Sequence, residues 1–249
     1  MKTVLLAAGV GQRLGAITGN KPKCLVEFDG MTLLRRHLRI LAHYGMTEII
    51  IVTGYLPELI TREALNTGAA ALIRYVHNPD YWKGSLISML AGLTALHSDQ
   101  DFILMDADVL YDHRLIERLT TTQHHNCFLL DRDFEAGEEP VKLCVRNGRL
   151  VEFRKKINGD MRFDLQGESV GFFRFTPATA LQLIHAAERY LRRGEDQQPY
   201  EECIRDLLLE RPGDFSYEDI TGLPWIEIDF PEDIIRARNN VLPQMLQLD

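Results

Sequence analysis

Basic charge is in short supply in this 249-residue chain. Its 28 lysines and arginines face 36 aspartates and glutamates, for a formal net charge of −8. That balance argues against nonspecific nucleic-acid binding, which needs a basic footprint, but leaves room for a local basic pocket. Cysteine is sparse as well. Cys24, Cys127, Cys144 and Cys203 form no C-x-x-C pair, so neither a zinc site nor a redox dithiol is indicated and buried free thiols are expected. No apolar run is long enough to span a bilayer. The short run at residues 4–8 ends in a glycine loop and lacks the h-region and cleavage pattern of a secretion signal. We therefore expect a soluble, cytoplasmic protein that meets neither membrane nor nucleic acid. Repeats, low-complexity segments and a clear linker are also missing. Hydrophobic residues make up 45% and charged residues 26%, which implies a packed core.

Through the first half, strand and helix patterns alternate. Strands are expected at residues 3–7, 48–53, 71–76 and 101–105, and helices at 31–44, 57–66 and 85–96. Such alternation implies a mostly parallel sheet with helices on both faces. The middle turns β-rich. Short strands are expected at 126–131, 141–146, 150–154 and 169–175, with Asn147-Gly148 as a hairpin turn. Helices at 177–193 and 200–211, a strand at 225–229 and a helix at 231–241 close the chain. The acidic stretch 131–140 reads as a loop over a site.

Val4-Leu5-Leu6-Ala7-Ala8-Gly9-Val10-Gly11-Gln12-Arg13-Leu14 runs an apolar strand into a loop of small residues. Small residues let backbone N–H groups approach phosphate oxygens. The dinucleotide pattern G-x-G-x-x-G would want a glycine where Leu14 stands, and no G-K-[ST] follows. Arg13 reads as a phosphate ligand. In Lys21-Pro22-Lys23, Lys21 reads as a solvated cation. Lys23 precedes the apolar Cys24-Leu25-Val26, which fixes its stem, and a rigid cation suits phosphoryl chemistry. Asp106-Ala107-Asp108 follows a buried strand, at the edge where α/β sheets bind ligands. Hard carboxylate oxygens suit Mg²⁺. Asp229 follows the strand at 225–229, either as a second metal carboxylate or as a helix N-cap. On the second half, Lys142, Arg154, Lys155 and Lys156 offer cations. Asp131, Asp133 and Glu168 offer anions, and Tyr81, Trp82, Phe172, Tyr200 and Trp225 offer aromatic faces. Aromatics and carboxylates together can hold an ammonium group.

In combination, the Gly9–Arg13 loop, Lys21-Pro22-Lys23-Cys24-Leu25, Asp106-Ala107-Asp108 and Glu227-Ile228-Asp229 resemble the nucleotidyltransferase family. Val52-Thr53-Gly54-Tyr55-Leu56, Asn78-Pro79-Asp80-Tyr81 and Gly84-Ser85-Leu86-Ile87-Ser88 are most similar to the bacterial phosphocholine and 2-aminoethylphosphonate cytidylyltransferases. The resemblance implies an α/β fold, a Rossmann-like, mainly parallel sheet of the nucleotide-diphospho-sugar transferase type with a small β-rich acceptor region. It implies a single domain over 1–249, with nucleotide binding mainly in 1–125 and acceptor binding in 126–249. It implies CTP as donor and a small phosphorylated or phosphonate acceptor, with Mg²⁺ as cofactor. Leu6, Ala7, Ala8, Gly9, Gly11, Tyr55, Asn78, Ser85 and Asp106 would then meet the nucleotide. Arg13 and Lys23 would be catalytic, and Asp108 and Asp229 would hold the metal. Lys142, Lys155, Glu168, Trp225 and Asp133 would face the acceptor. Gln12 replaces the threonine of the sugar enzymes' G-x-G-T-R-L start, which weakens a sugar-1-phosphate or inositol-phosphate alternative. A non-catalytic nucleotide sensor would be expected to lose the lysine or a metal carboxylate. The apolar tail 241–248 docks either on a second subunit, as in a homodimer, or on its own core.

Overall fold

The structure, a computed structural model, describes residues 1–15, 19–135 and 137–248. β1 (Lys2–Ala7) enters the sheet first. A short hairpin, β2 (Glu27–Phe28) and β3 (Met31–Thr32), follows and leads into α1 (Leu33–His43). Then come β4 (Glu48–Thr53), α2 (Pro57–Leu65), β5 (Ile73–His77), α3 (Ser85–Ala95) and β6 (Phe102–Asp106). The sequence places a helix start at Met31. The helix instead begins at Leu33, because Asp29 and Gly30, at φ 50° and 71°, make a tight hairpin turn and Thr32 caps the helix by accepting the Arg35 N–H at 3.1 Å.

The remaining elements are β7 (Val109–Tyr111), α4 (Arg114–Thr121), β8 (Cys127–Asp131), β9 (Lys142–Arg146), β10 (Arg149–Arg154) and β11 (Leu165–Phe175). They are followed by α5 (Pro177–Arg192), α6 (Tyr200–Glu210), β12 (Ser216–Asp219), β13 (Trp225–Glu227) and α7 (Pro231–Arg236). The expected closing helix gives way at Ala237–Val241 to wider, π-helical turns.

One nine-stranded sheet runs through both halves in the order β10-β9-β11-β6-β1-β4-β5, with β8 on β11 and β12 on β8. β6, β1, β4 and β5 are mutually parallel, each joined to the next in sequence through a helical crossover. β11 joins the β-rich half antiparallel to β6. The central strands bury both faces, so they are apolar throughout rather than alternating. Val4, Ile50, Val52 and Leu104 face one layer, with Leu86 and Met89 of α3 and Leu183 of α5. Leu5, Ile49, Ile51 and Met105 face the other, with Leu34, Leu38 and Leu41 of α1. Each fully buried side chain of this size is worth roughly 1.5–3 kcal/mol.

β7 and β13 form a separate two-stranded ribbon, with Val109 opposite Glu227. Leu248 and Met245 pack on the chain's own core, and the Leu246 N–H donates to Asp112 at 2.7 Å. No helix among the described residues is long and apolar enough to cross a membrane.

Candidate active site

The carboxyl end of β1 opens into a cavity of about 150 Å³, lined by Leu6, Ala7, Gly9, Gly11, Pro22, Lys23, Cys24, Ala107 and Asp108. Gly11 adopts φ +65°, and a Cβ there would sit 2.7 Å from Cγ of Lys23. Glycine is needed for the backbone conformation and for the lysine stem that packs on it. The Tyr55 N–H donates to the Ala8 carbonyl at 3.1 Å, which ties the β4 exit to the loop.

The acidic side of this cavity comes from two sequence segments. β6 delivers Asp106-Ala107-Asp108 beside the cradle, and the Ala107 N–H bonds Leu6 O at 3.2 Å. The β7–β13 ribbon then brings in the late motif, where the Ile228 N–H donates to Asp108 O at 2.9 Å. As a result, carboxylate oxygens of Asp108, Glu227 and Asp229 lie within 4.8 Å of one another. Three hard oxygen donors at this spacing fit a divalent cation of the Mg²⁺ type. Glu227 is absent from the ligands expected from sequence, although its alternation with Asp229 puts the two on one face.

Lys23 Nζ donates to Asp108 at 3.1 Å and also to Asp229. Burial alone would depress its pKa, but the Asp108 and Asp229 charges outweigh that and raise it above the ordinary lysine range. Arg13 reaches Asp229 at 3.4 Å and Glu139 at 3.7 Å, and its guanidinium lies 4.9 Å over the Phe230 ring. The N-cap alternative for Asp229 fails. Asp233 accepts the N–H groups of Asp229 and Phe230, at 3.0 and 2.7 Å, so the Asp229 carboxylate is left to Lys23 and Arg13. Glu227 lies open to the adjoining cleft, yet desolvation, then the Asp108 and Asp229 charges, hold its carboxyl well above the usual range.

Beneath the Asp-x-Asp turn, His37 of α1 is fully buried. Its Nε2 meets the Ala107 carbonyl at 3.0 Å and its Nδ1 meets Tyr111 Oη at 3.2 Å. A carbonyl only accepts, so Nε2 carries the proton and Tyr111 donates to Nδ1. Burial lowers the His37 pKa to about 4, which keeps the ring neutral.

On the other side lies a cleft of about 550 Å³. Asp131, Glu168, Glu227 and Asp229 line it together with Trp225, Phe230 and residues 133–135 and 137–140. Trp225 Nε1 donates to Asp131 at 2.7 Å. Burial, then the Asp131 charge, lifts Glu168 to about 7. Lys155 stands nearby, 3.1 Å from Glu139. Asp133 is exposed on the loop, its N–H bonded to Asp131 at 2.9 Å.

Several expected ligands also bond within the chain. Lys142 does not offer a free ammonium, since Nζ donates to the carbonyls of Gly137, Pro140 and Lys155 at 2.7, 3.2 and 2.7 Å and so pins the loop. Arg154 pairs with Glu202 at 3.1 Å. Asn78 is buried, its amide on Ser88 and its oxygen on the Asp80 N–H, both at 3.0 Å. Ser85 accepts the Tyr200 N–H at 3.1 Å. Tyr55 is half-buried beside Tyr81, ring centroids 6.3 Å apart. The Asp106 carboxylate accepts from Tyr200 Oη at 2.6 Å, and Asp106 lines a smaller neighbouring recess rather than the cradle.

The fold and its chemistry agree with known proteins. The chain is 28% identical over 236 residues to the CMP-5'-(3-aminopropyl)phosphonate synthase of Streptomyces rubellomurinus, which covers 94% of this chain but only 37% of that protein. It is 24% identical to the CTP:phosphoglutamine cytidylyltransferase of Campylobacter jejuni, over 94% of this chain and 98% of that one. The solved inositol-1-phosphate CTP transferase from T. maritima superimposes with a TM-score of 0.77, at 19% identity, over 99% of this chain and 98% of that chain. The MobA-like NTP transferase domain family matches residues 3–163, so the glycine cradle, its lysine and the Asp-x-Asp turn all lie within that match, and the chain belongs to this family of nucleotidyltransferases.

Proposed function

We propose that this nucleotidyltransferase uses CTP and passes CMP to a small phosphate or phosphonate that carries a cationic nitrogen, with release of pyrophosphate. The observation that carries the reading is the pairing of two unlike cavities across Asp108 and Asp229. One is a small-residue cradle with Lys23. The other is a cleft dominated by carboxylates, with Trp225 and Phe230 in its wall. A cleft of that sign repels a purely anionic acceptor and favours one whose far end is positive. The relatives named for aminopropylphosphonate and phosphoglutamine support the same class.

In this reading residues 1–125 and 126–249 serve one site as donor and acceptor halves. The acceptor oxygen forms a bond to the α-phosphorus, and the bond from that phosphorus to the oxygen bridging the β-phosphate breaks in line. The acceptor is already an anion at neutral pH, so no strong base is needed, and catalysis is positioning and charge neutralisation. Lys23 and Arg13 take the charge that builds on the departing pyrophosphate. Lys155 orients the acceptor anion, while the acidic cleft lined by Glu168, Asp131 and Trp225 draws in its cationic end. Asp108 and Asp229, with Glu227 beside them, would hold Mg²⁺, which when bound neutralises phosphate charge.

Pyrophosphate release measured over CTP, UTP, GTP and ATP tests the donor. The acceptor panel is phosphoethanolamine, phosphocholine, 2-aminoethylphosphonate, inositol-1-phosphate and glucose-1-phosphate. The expected result is turnover with CTP and an amine acceptor. Faster turnover with glucose-1-phosphate or inositol-1-phosphate would overturn the amine reading.

A further inference from the structure

Where the acidic cleft meets the sheet it continues into a recess of about 50 Å³. Glu139 and Glu227 line both spaces. Asp106, Glu201 and Glu227 line the recess, together with Ser169 and Lys155. Glu201, on the first turn of α6, is half-buried as a residue, and its Oε2 is closed off from solvent. Its Oε2 has no hydrogen-bond partner among the described residues. A carboxylate oxygen in that position is costly unless something pairs with it. Lys155, half-exposed and engaged with Glu139 at 3.1 Å, also lines the recess and its charge reaches Glu201, but among the described residues nothing bonds Glu201 Oε2.

We propose that this recess seats a primary ammonium group of the acceptor and shuts out a trimethylammonium group. The inference rests on the amine-acceptor reading above and narrows it. A primary ammonium has three N–H donors, enough for Glu201 and its two acidic neighbours. A quaternary ammonium has none and would leave Glu201 Oε2 unpaired. Size points the same way: the recess is the smaller of the two spaces, and an aminoethyl arm has three non-hydrogen atoms where a trimethylammonioethyl arm has six.

The walls cannot readily yield. Phe153, Phe173 and Val170 are 1%, 0% and 3% exposed, and Tyr200 is 2% exposed. Gly171 takes φ +79°, and a Cβ there would meet Asp106 Oδ2 at 2.5 Å. Opening the recess therefore means disturbing packed core.

The test uses the intact protein with CTP and Mg²⁺. Acceptors are phosphoethanolamine, its N-methyl and N,N-dimethyl forms, phosphocholine, and ethyl phosphate as the amine-free control. We expect kcat/KM to fall with each methyl group, by at least ~10²-fold from the primary to the quaternary amine. Glu201→Gln should cut the preference for phosphoethanolamine over ethyl phosphate by about tenfold or more, with CTP binding by calorimetry reporting that the variant is folded. Phosphocholine turned over as well as phosphoethanolamine would overturn this inference and leave the amine reading standing. An unchanged preference in Glu201→Gln would do the same. Inositol-1-phosphate or glucose-1-phosphate preferred over every amine, or no turnover of any amine, would overturn both.

Discussion

Replacing Lys23 with methionine removes a cation that holds two carboxylates together while keeping the length of the stem. Asp108 and Asp229, only 23% and 21% exposed in their side chains, would then face each other and Glu227 without it. At an effective dielectric near 20, a pair at 4 Å is worth about 4 kcal/mol before desolvation. Burying the ammonium is the largest opposing effect at Lys23, so a net loss of about 2–3 kcal/mol is expected from breaking a half-buried network. In a chain of this size that is a drop of about 4–12 °C in melting temperature.

The sign with pH is determined. The Lys23 pKa is raised in the folded state, so its contribution is fully present below the unfolded lysine value and is lost only as pH climbs through the folded one. The carboxylates it leaves behind relieve their repulsion by taking protons. The deficit of Lys23→Met should thus be widest at pH 7–9 and shrink towards pH 5. Divalent cations should restore stability to the variant more than to the wild type. Mn²⁺ titrated without nucleotide should bind the variant at least ~10-fold tighter, because no ammonium competes for the carboxylates. In the wild type, CTP should tighten Mn²⁺ binding by giving Lys23 phosphates instead. Turnover should fall by ~10²–10³. If Lys23→Met melts with the wild type from pH 5 to 9 and binds Mn²⁺ no better, the lysine is not the counter-ion of this cluster.

Three further outcomes follow from the geometry. Glu168 sits near pH 7, so the ratio of wild-type to Glu168→Gln kcat/KM for an amine acceptor should rise as pH passes upward through about 7. A flat ratio from pH 6 to 8 would remove Glu168 from the cationic subsite. Asp233→Ala should cost about 1 kcal/mol by uncapping Asp229 and Phe230 and should raise the metal concentration needed for half-maximal activity; chemical unfolding and a metal titration read the two effects. The His37 pKa is depressed to about 4, so its stabilising contribution is present above the unfolded value near 6.5 and lost as pH falls through about 4. His37→Leu should cost about 2–4 kcal/mol at pH 7 by leaving the Ala107 carbonyl and Tyr111 hydroxyl unpaired, and denaturant unfolding at pH 7 and pH 4.5 would show both.

The parallel half of the fold was legible because its periodicities are local. β4 is a continuous apolar run, and α2 carries proline at its start. The Asn147-Gly148 turn was equally plain. Asp29-Gly30 carries the same chemistry and the same positive φ pair, yet its strands have two residues each and show no alternation. Met31 also continues the apolar spacing of α1, so the helix absorbed the hairpin. β12, Ser-Tyr-Glu-Asp, pairs only with β8. A polar edge strand held by one long-range ladder has no pattern of its own.

The site divides along the same line. Arg13, Lys23, Asp108 and Asp229 were readable because each sits in or beside a short motif at the mouth of a strand. Glu227 was visible on the same face as Asp229, but its place beside Asp108 depends on β7 meeting β13, a contact across more than 100 residues. Asn78, Ser85 and Lys142 have the right chemistry for ligands. Within the chain their side chains bond Ser88, the Tyr200 N–H and three loop carbonyls, partners that no motif announces. Glu201 follows a tyrosine at the start of an ordinary amphipathic helix and gives no signal at all. It becomes a candidate only when α6 packs against β10 and β11, because packing is what strips water from a carboxylate and leaves it unpaired. Turns and strand ends announce themselves in a sequence, while which acids the core buries is settled only by the fold.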